Sequence, residues 1–194
     1  MDEALFLYEL AAGIEEGCIV EVGSYRGRST AALAQGSMSS NNLPVFAVEP
    51  HEPYQGYYGG NFDAEDRAAF FRTMLSTKSY KVVRLLNTVS ETVAAAWKKP
   101  VGLLFIDGDH SYEGVKADFD NWASHMLPDA TVVFDDSIDE NCGPHKLITE
   151  LIQTKQLVRL KVVGKLTQLG LPKAEPFRAG QEALTTGNLY AQPY

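Results

Sequence analysis

The sequence has little cysteine and little positive charge, and both shortages exclude classes of protein. Cys18 and Cys142 are the only cysteines, which argues against a disulfide framework or a thiolate zinc site and indicates a reducing compartment, the cytoplasm. Seventeen Lys and Arg residues stand against twenty-five Asp and Glu residues, which leaves a net charge of −8. Such a chain repels polyphosphate and anionic lipid, so nucleic acid is not an expected partner.

Long apolar runs are also missing. No run approaches the roughly 20 residues that are needed to cross a bilayer, and the acidic start MDEALFLYEL lacks the basic region of a signal peptide. We therefore expect neither a membrane protein nor a secreted one. The 194 residues, of which 45% are hydrophobic and 22% charged, suit one folded domain rather than a disordered chain.

Four short apolar runs dominate what the sequence does contain, and each carries a carboxylate at or near its end. They are CIVEVG (18–23), PVFAVE (44–49), VGLLFID (101–107) and ATVVFDD (130–136), and a weaker run, KVVRLL, covers 81–86. Such runs are typical of parallel strands that are buried on both faces. Amphipathic stretches lie between them and predict helices over 5–14, 29–35, 63–76, 90–97, 111–126 and 145–154.

This alternation predicts an α/β fold with a Rossmann-like, doubly wound and mostly parallel sheet. After residue 156 the pattern changes to LVRLKVVG and KLTQLGL, which predicts a C-terminal antiparallel hairpin around Gly164 and Lys165. Residues 1–171 are expected to form the domain. Residues 172–194 contain several prolines and glycines and are expected to form an arm or tail, which could pack on a partner subunit in a homo-oligomer.

The segment EVGSYRGRST follows the first apolar run and opens a predicted helix, where backbone N–H groups can meet a ligand. Its spacing fits neither the dinucleotide fingerprint nor the P-loop, because Tyr25 and Arg28 stand where the fingerprint has glycine and no Gly-Lys-Ser/Thr follows. The arrangement suits a zwitterionic amino-acid group, with its ammonium near Glu21 and its carboxylate near the helix start. A tight strand-to-helix turn with Ser29 as the N-cap fits equally well.

Glu49 ends the second run, at a position where an acid commonly takes the two hydroxyls of a ribose. Alone it could be a solvated strand end. Together with the preceding turn, it indicates a ligand that has a ribose and an amino-acid tail but no pyrophosphate, namely S-adenosylmethionine.

Residues 19–137 resemble a class I S-adenosylmethionine-dependent methyltransferase, most closely the branch typified by macrocin O-methyltransferase and cephalosporin hydroxylase. The segments that carry the resemblance are IVEVGSYRGRST, FAVEP, LLFIDGDHSYEGVKADFDNW and ATVVFDDS. The resemblance implies that Glu49 takes the ribose, that 88–90 contribute to the adenine pocket, and that Tyr25 stands where most class I enzymes have glycine. The residues that it places along the methionine end of the cofactor are Glu21, Gly23, Ser24, Tyr25, Gly27 and Ser29.

Two pairs of aspartates follow two of the apolar runs, Asp107 with Asp109 and Asp135 with Asp136. In a parallel sheet all four reach the same carboxyl edge, where they would repel one another unless a cation sits among them or one is protonated. Oxygen-only ligands favour Mg²⁺, Ca²⁺ or Mn²⁺. The alternative is that Asp107 touches only the cofactor, Asp109 caps the helix that begins near Ser111, and the other two cap a loop.

The branch resemblance implies a metal, Mg²⁺ or another divalent cation, at Asp107, Asp135 and Asp136, with Asp109 as the base. His110 adjoins these residues and could be a base, a metal ligand or a helix-start histidine bonded to a carboxylate. The segment HEPYQGYYGGNF (51–62) could stack on an acceptor or form a plain surface loop.

The function expected from these features is O-methylation of a small hydroxylated acceptor, a sugar or a natural product, with Asp109 or His110 removing the proton. A metal would bind two neighbouring hydroxyls and lower the pKa of one of them. Two alternatives remain. One is a hydroxylase-like member that uses iron and dioxygen, although the sequence shows no clear two-histidine-one-carboxylate set. The other is a non-catalytic protein that binds the cofactor and acts through a partner.

Overall fold

A seven-stranded sheet organises the chain in the computed structural model, which describes residues 3–56 and 59–172. The helices are α1 (Glu3–Gly13), α2 (Arg28–Met38), α3 (Ala64–Thr77), α4 (Ser90–Ala96), α5 (Tyr112–Ala123) and α6 (Gly143–Gln153). The strands are β1 (Cys18–Val22), β2 (Val45–Val48), β3 (Tyr54–Gln55), β4 (Asn61–Phe62), β5 (Val83–Leu86), β6 (Val101–Ile106), β7 (Met126–Phe134), β8 (Val158–Val163) and β9 (Leu166–Gly170). A 3₁₀ turn, Ser79–Lys81, precedes β5.

The strand order in the large sheet is β5-β2-β1-β6-β7-β9-β8, and β3 pairs with β4 in a separate two-stranded ribbon. Pairing is parallel from β5 to β7, whereas β9 runs antiparallel to both of its neighbours. The predicted doubly wound sheet and its C-terminal hairpin are therefore confirmed. The chain winds in one direction from β1 to β2 and in the other from β6 to β7, so a crevice opens where β1 and β6 end.

Helices cover both faces of the sheet, which is why the central strands are apolar throughout. Every residue of β1 and β6 is buried. On one face α1, α2 and α3 pack through residues such as Phe6, Leu33 and Phe70. On the other face α4, α5 and α6 pack through residues that include Trp122 and Leu147. Burial on both faces leaves only the strand ends free to carry polar groups.

The beginnings of three helices show which local signals the chain uses. Asp63 and Asp66 form a capping box at the start of α3, as their spacing indicated. Ser111 accepts from the backbone N–H of Gly114 at the start of α5. The alternative role of Ser29 as an N-cap is wrong, because Gly27 occupies the N-cap position of α2 with φ 81° and no side chain caps that helix.

The boundary between α5 and β7 differs from the prediction. The expected helix over 111–126 ends at Ala123, and β7 begins at Met126 rather than at 130. Met126 pairs with Val101 of β6, so strand pairing takes the residue that appeared to continue the apolar stripe of the helix. Tertiary pairing outweighs a local pattern here.

Three features remain, namely the thiol of Cys18, the lengths of the helices and the predicted domain boundary. Cys18 is buried and its thiol donates to the carbonyl of Pro100 at 3.2 Å, and burial raises the pKa of the thiol to about 11. No helix in the described part of the chain is both long and apolar enough to cross a membrane. The division into a domain of residues 1–171 and an arm of 172–194 stays a prediction, and residues 173–194 lie outside the described residues.

Candidate functional site

The polar strand ends form a row at the carboxyl edge of the sheet. In each case the first residue after a strand donates its backbone N–H to the last residue of a neighbouring strand, so pairing extends one residue beyond the strands. These bonds join Gly23 to Val48 (3.0 Å), Glu49 to Leu86 (3.1 Å), Asp107 to Val22 (2.8 Å) and Asp135 to Ile106 (3.0 Å). The extended pairing fixes the positions of the side chains that begin the site.

A cavity of about 640 Å³ lies at this edge, within the range typical of small-molecule sites. It is lined by eight of the residues predicted for the site: Gly23, Tyr25, Glu49, Asp107, Asp109, His110, Asp135 and Asp136. Four other predicted residues do not line it: Glu21, Ser24, Gly27 and Ser29. The roles predicted for all of them stay predictions, but the structure brings the first group around one space.

Gly23 forms the floor of the cavity, where the chain leaving β1 meets the chain leaving β6. Its φ is 87°, and a Cβ there would lie 2.2 Å from the carbonyl oxygen of Asp107. Only glycine fits such a contact without displacing backbone. The close approach brings the Gly23 turn and Asp107 to the same side of the cavity.

Glu21 is buried beneath the turn, with no exposed surface. The Thr30 hydroxyl donates to its Oε2, whereas Oε1 has no hydrogen-bond partner among the described residues. The Oγ of buried Ser24 has no partner there either. Burial raises the pKa of Glu21 to about 7, although hydrogen bonds from Ser29 and Thr30 oppose the rise. Two buried polar atoms of the turn are therefore left without partners.

Glu49 is held at the cavity wall by backbone donors. Its Oε2 accepts from the N–H of Tyr25 at 3.1 Å, and its Oε1 accepts from the N–H of His51 at 3.2 Å. Each carboxylate oxygen can accept a further hydrogen bond. The alternative of a plain solvated strand end does not describe this geometry, because the carboxylate is fixed between two loops.

His51 and Asn87 support Glu49, and neither was predicted for the site. His51 lies in the segment 51–62 but is only 4% exposed. Its Nε2 donates to the carbonyl of Tyr25 at 2.7 Å, and Asn87 donates to its Nδ1 at 3.3 Å and to the carbonyl of Glu49 at 2.8 Å. Asn87 follows β5 directly, so its place at the carboxyl edge could have been found from the strand pattern.

An aromatic wall, defined here as Tyr25, Tyr54 and Phe62, lines one side of the cavity. The Tyr25 and Phe62 ring centroids are 4.8 Å apart in an edge-on contact, and those of Tyr54 and Phe62 are 5.9 Å apart. Tyr54 and Phe62 belong to the β3–β4 ribbon within the expected loop 51–62. Tyr57 and Tyr58 lie outside the described residues. The wall can stack on a flat or ring-shaped ligand.

Asp107, Asp135 and Asp136 come together at the carboxyl edge of the sheet, as predicted, with two basic side chains among them. The Nδ1 of His110 lies 3.0 Å from Oδ2 of Asp136, and its Nε2 lies 3.5 Å from Oδ1 of Asp107. The Nζ of Lys165 lies 2.5 Å from Oδ1 of Asp136 and 3.6 Å from Oδ2 of Asp135. We call these five residues the charge cluster.

Burial and the neighbouring charges shift the pKa values of three residues in the charge cluster. Burial raises the pKa of Asp107 well above its ordinary value, with Asp135 adding to the rise and His110 opposing it. Burial alone would lower the pKa of His110, but Asp107 and Asp136 outweigh it and raise that pKa. The pKa of Lys165 is also raised, because Asp136 and Asp135 outweigh burial. The raised pKa of Lys165 favours its charged form, and the raised pKa of His110 makes its ring a stronger base.

The three aspartates do not form a metal site as they are arranged. The two oxygens of Asp136 face different cations, His110 and Lys165, while Oδ2 of Asp135 faces Lys165. A divalent cation needs several oxygens directed at one point. Across residues 3–56 and 59–172, no group of three or more His, Cys, Asp and Glu side chains is placed to hold a metal ion.

Asp109 precedes α5 without capping it, because Ser111 holds the N-cap position, so the capping role that the sequence left open as an alternative is wrong. Its Oδ1 accepts from the backbone N–H of Ser111 and its Oδ2 from the Ser111 hydroxyl, both at 2.9 Å. Asp109 also lines the cavity, so its bonds with Ser111 do not remove it from the site. Both of its oxygens are nevertheless engaged locally.

Asp118 of α5 lines the cavity without having been predicted to do so. Burial raises its pKa to about 6, against a hydrogen bond with Ser90 that lowers it. Ser90 in turn accepts from the indole N–H of Trp122 at 2.9 Å. Val89 and Ser90 line the cavity as well, so part of the predicted 88–90 segment reaches it.

Comparison with known proteins identifies the family to which the chain is similar. A family model described as a methyltransferase domain matches residues 20–137. The chain is similar to the uncharacterized protein y4gI of Sinorhizobium fredii, with 32% identity over 125 residues, which are 61% of this chain and 13% of that protein. The chain thus spans a small part of that relative.

Solved structures provide the fold comparison. An O-methyltransferase from Bacillus cereus in complex with S-adenosylhomocysteine has a TM-score of 0.66 at 16% identity, covering 88% of this chain and 80% of that chain. TomG, an O-methyltransferase from Streptomyces achromogenes involved in tomaymycin synthesis, in complex with S-adenosylmethionine, has a TM-score of 0.65 at 15% identity, covering 87% and 78%. At such identities the likeness shows the fold.

Proposed function

Because the chain belongs to the class I S-adenosylmethionine-dependent methyltransferases, whose domain model matches more than half of it, we propose that it methylates a hydroxyl oxygen of a small acceptor. The observation that carries this proposal is that one cavity is lined by the Gly23 turn, Glu49, His110 and the aspartates. One space of about 640 Å³ suits a cofactor and an acceptor in contact.

The residues present fit S-adenosylmethionine. Glu49 would take the ribose hydroxyls, because its carboxylate is already oriented by the N–H groups of Tyr25 and His51. Gly23 lines the cavity while packing directly against the Asp107 backbone, which no residue with a Cβ could do. The unpartnered Oε1 of Glu21 and Oγ of Ser24 support the assignment of the methionine end to this turn.

The cofactor supplies an electrophilic methyl group, so the chain must position the acceptor oxygen and remove its proton. We assign the role of proton acceptor to the neutral form of His110, whose ring lines the cavity and is oriented through the 3.0 Å contact of Nδ1 with Asp136. Asp109 is the second choice, because both of its oxygens already accept from Ser111.

The acceptor is a hydroxylated ring compound, a sugar or a natural product. The aromatic wall gives it a stacking surface, and the carboxylates that line the cavity can accept hydrogen bonds from its hydroxyls. The neighbour TomG acts in the synthesis of a natural product, which supports this acceptor class.

Calorimetry with S-adenosylhomocysteine tests the proposal. We expect binding in the wild-type protein and, in Glu49→Gln, a Kd raised by about tenfold or more, since a hydrogen bond to a charged group contributes about 1.5–3 kcal/mol. Glu91→Gln is the matched control, because Glu91 is exposed on α4 and does not line the cavity. An absence of binding heat in the wild-type protein would remove the proposal. Binding without methyl transfer to a panel of hydroxylated acceptors would favour the non-catalytic alternative.

A further inference from the structure

Lys165 is fixed in place by its own backbone, not only by its ion pairs. It lies in the β8–β9 turn after Gly164, where its N–H donates to Oε1 of Glu3 at 2.8 Å. Its carbonyl accepts from the N–H and the hydroxyl of Ser137, at 3.0 and 2.6 Å. Ser137 directly follows the aspartate pair. The turn is therefore docked on the loop that carries Asp135 and Asp136.

The direction of the hairpin places this turn at the site. β8 runs parallel to β7 because each is antiparallel to β9. The end of β8 therefore lies at the same carboxyl edge as the ends of β1, β6 and β7. A side chain on the turn can reach the strand-end carboxylates, and the ammonium of Lys165 does so at 2.5 Å from Asp136.

We propose that Lys165 supplies to Asp135 and Asp136 the positive charge that a divalent cation would otherwise supply, so that methyl transfer here needs no metal. Lys165 is a positioning residue, because it contacts the aspartates and does not itself line the cavity. Only the statement about methyl transfer rests on the proposed function. The pairing of Lys165 with Asp135 and Asp136 does not depend on it.

Electrostatics gives the reason. Carboxylates that converge at one sheet edge repel one another unless a cation is placed among them. Here both oxygens of Asp136 and one oxygen of Asp135 are directed at basic side chains. A metal ion would have to displace the ammonium of Lys165, whose backbone is docked on the same loop. The ammonium therefore competes with a metal ion for the oxygens of Asp135 and Asp136.

A titration with Mn²⁺, followed by the electron paramagnetic resonance signal of the free ion, tests this. We expect the wild-type protein not to deplete free Mn²⁺, and Lys165→Met to bind it at least about tenfold more tightly. Lys165→Arg, which keeps the charge, is expected to behave as the wild type. Lys116→Met is the matched control, since Lys116 also pairs with an aspartate, Asp120, but lies outside the cavity. Lys165→Gln replaces Lys165→Met if the latter does not fold.

The outcomes separate this inference from the proposed function. Tight Mn²⁺ binding by the wild-type protein that Asp135→Asn abolishes would overturn the inference, and so would the absence of tighter Mn²⁺ binding in folded Lys165→Met or Lys165→Gln. With an acceptor in hand, methyl transfer that a chelator leaves unchanged supports it, and transfer that a chelator stops overturns it. Failure of S-adenosylhomocysteine to bind would refute the proposed function. The Mn²⁺ titration would still test whether Lys165 takes the place of a metal ion.

Discussion

Replacing Glu21 with glutamine should make the protein less sensitive to rising pH. Glu21 has no exposed surface, and burial raises its pKa from 4.5 to about 7. A raised carboxyl pKa means that the folded state prefers the protonated form. At pH values below the unfolded pKa both states hold the proton, so the residue contributes no difference. As pH rises, the unfolded chain loses the proton first, and stability falls until the folded pKa is passed.

The magnitude follows from the size of the shift. A rise from 4.5 to about 7 corresponds to about 3 kcal/mol lost from the free energy of unfolding across that pH range. Glutamine has no proton to lose and keeps an oxygen for the Thr30 hydroxyl. Its amide also brings a donor to the turn, where the Oγ of Ser24 lacks a partner among the described residues.

Urea unfolding followed by tryptophan fluorescence at pH 4.5 and pH 8 measures the effect, since Trp97 and Trp122 are both buried. We expect the stability of Glu21→Gln relative to wild type to rise by about 3 kcal/mol between the two pH values. Glu91→Gln, at an exposed position, controls for the loss of a negative charge. Equal relative stability of Glu21→Gln at both pH values would refute the reasoning, because it would mean that Glu21 is ionised normally in the folded protein.

Three further predictions concern single residues of the site and its support. Gly23→Ala should weaken S-adenosylhomocysteine binding by about tenfold or more in calorimetry, because its Cβ would lie 2.2 Å from the Asp107 carbonyl oxygen; unchanged binding would contradict the close approach. His110→Gln should lower kcat by about 10²–10⁴-fold with little change in the KM for the cofactor, and an unchanged kcat in a methyl-transfer assay would return the base role to Asp109. Trp122→Phe should cost about 2 kcal/mol of unfolding free energy in urea, because it removes buried indole surface and the bond to Ser90; a loss near zero would contradict the packing.

Most of the fold could be predicted because its strands are buried on both faces. Continuous apolar runs such as VGLLFI leave no alternation that could place one face in solvent, and this pattern indicates a parallel sheet. The beginning of β7 could not be predicted, because Met126 fits the stripe of α5 as well as the strand. Its pairing with Val101, 25 residues earlier in the chain, decides the matter.

The candidate site was predictable where a residue directly follows a strand. Glu49, Asp107 and Asp135 are placed by strand pairing that continues for one residue, so their meeting at one edge follows from the topology. His51 was not predictable, because its burial depends on Asn87 and on the carbonyl of Tyr25, which lie on other loops. Short-range patterns do not carry such contacts.

The sequence could not predict which cation pairs with the aspartates. Counting aspartates at the strand ends correctly indicates that positive charge is needed, and divalent metals are one common answer. The hairpin around Gly164 and Lys165 was also predicted, but its direction relative to the sheet was not. Because β9 inserts antiparallel between β7 and β8, the turn reaches the carboxyl edge and brings Lys165 to Asp136. Had β8 run in the opposite direction, the same lysine would lie at the far edge of the sheet, and the aspartates would need another source of charge.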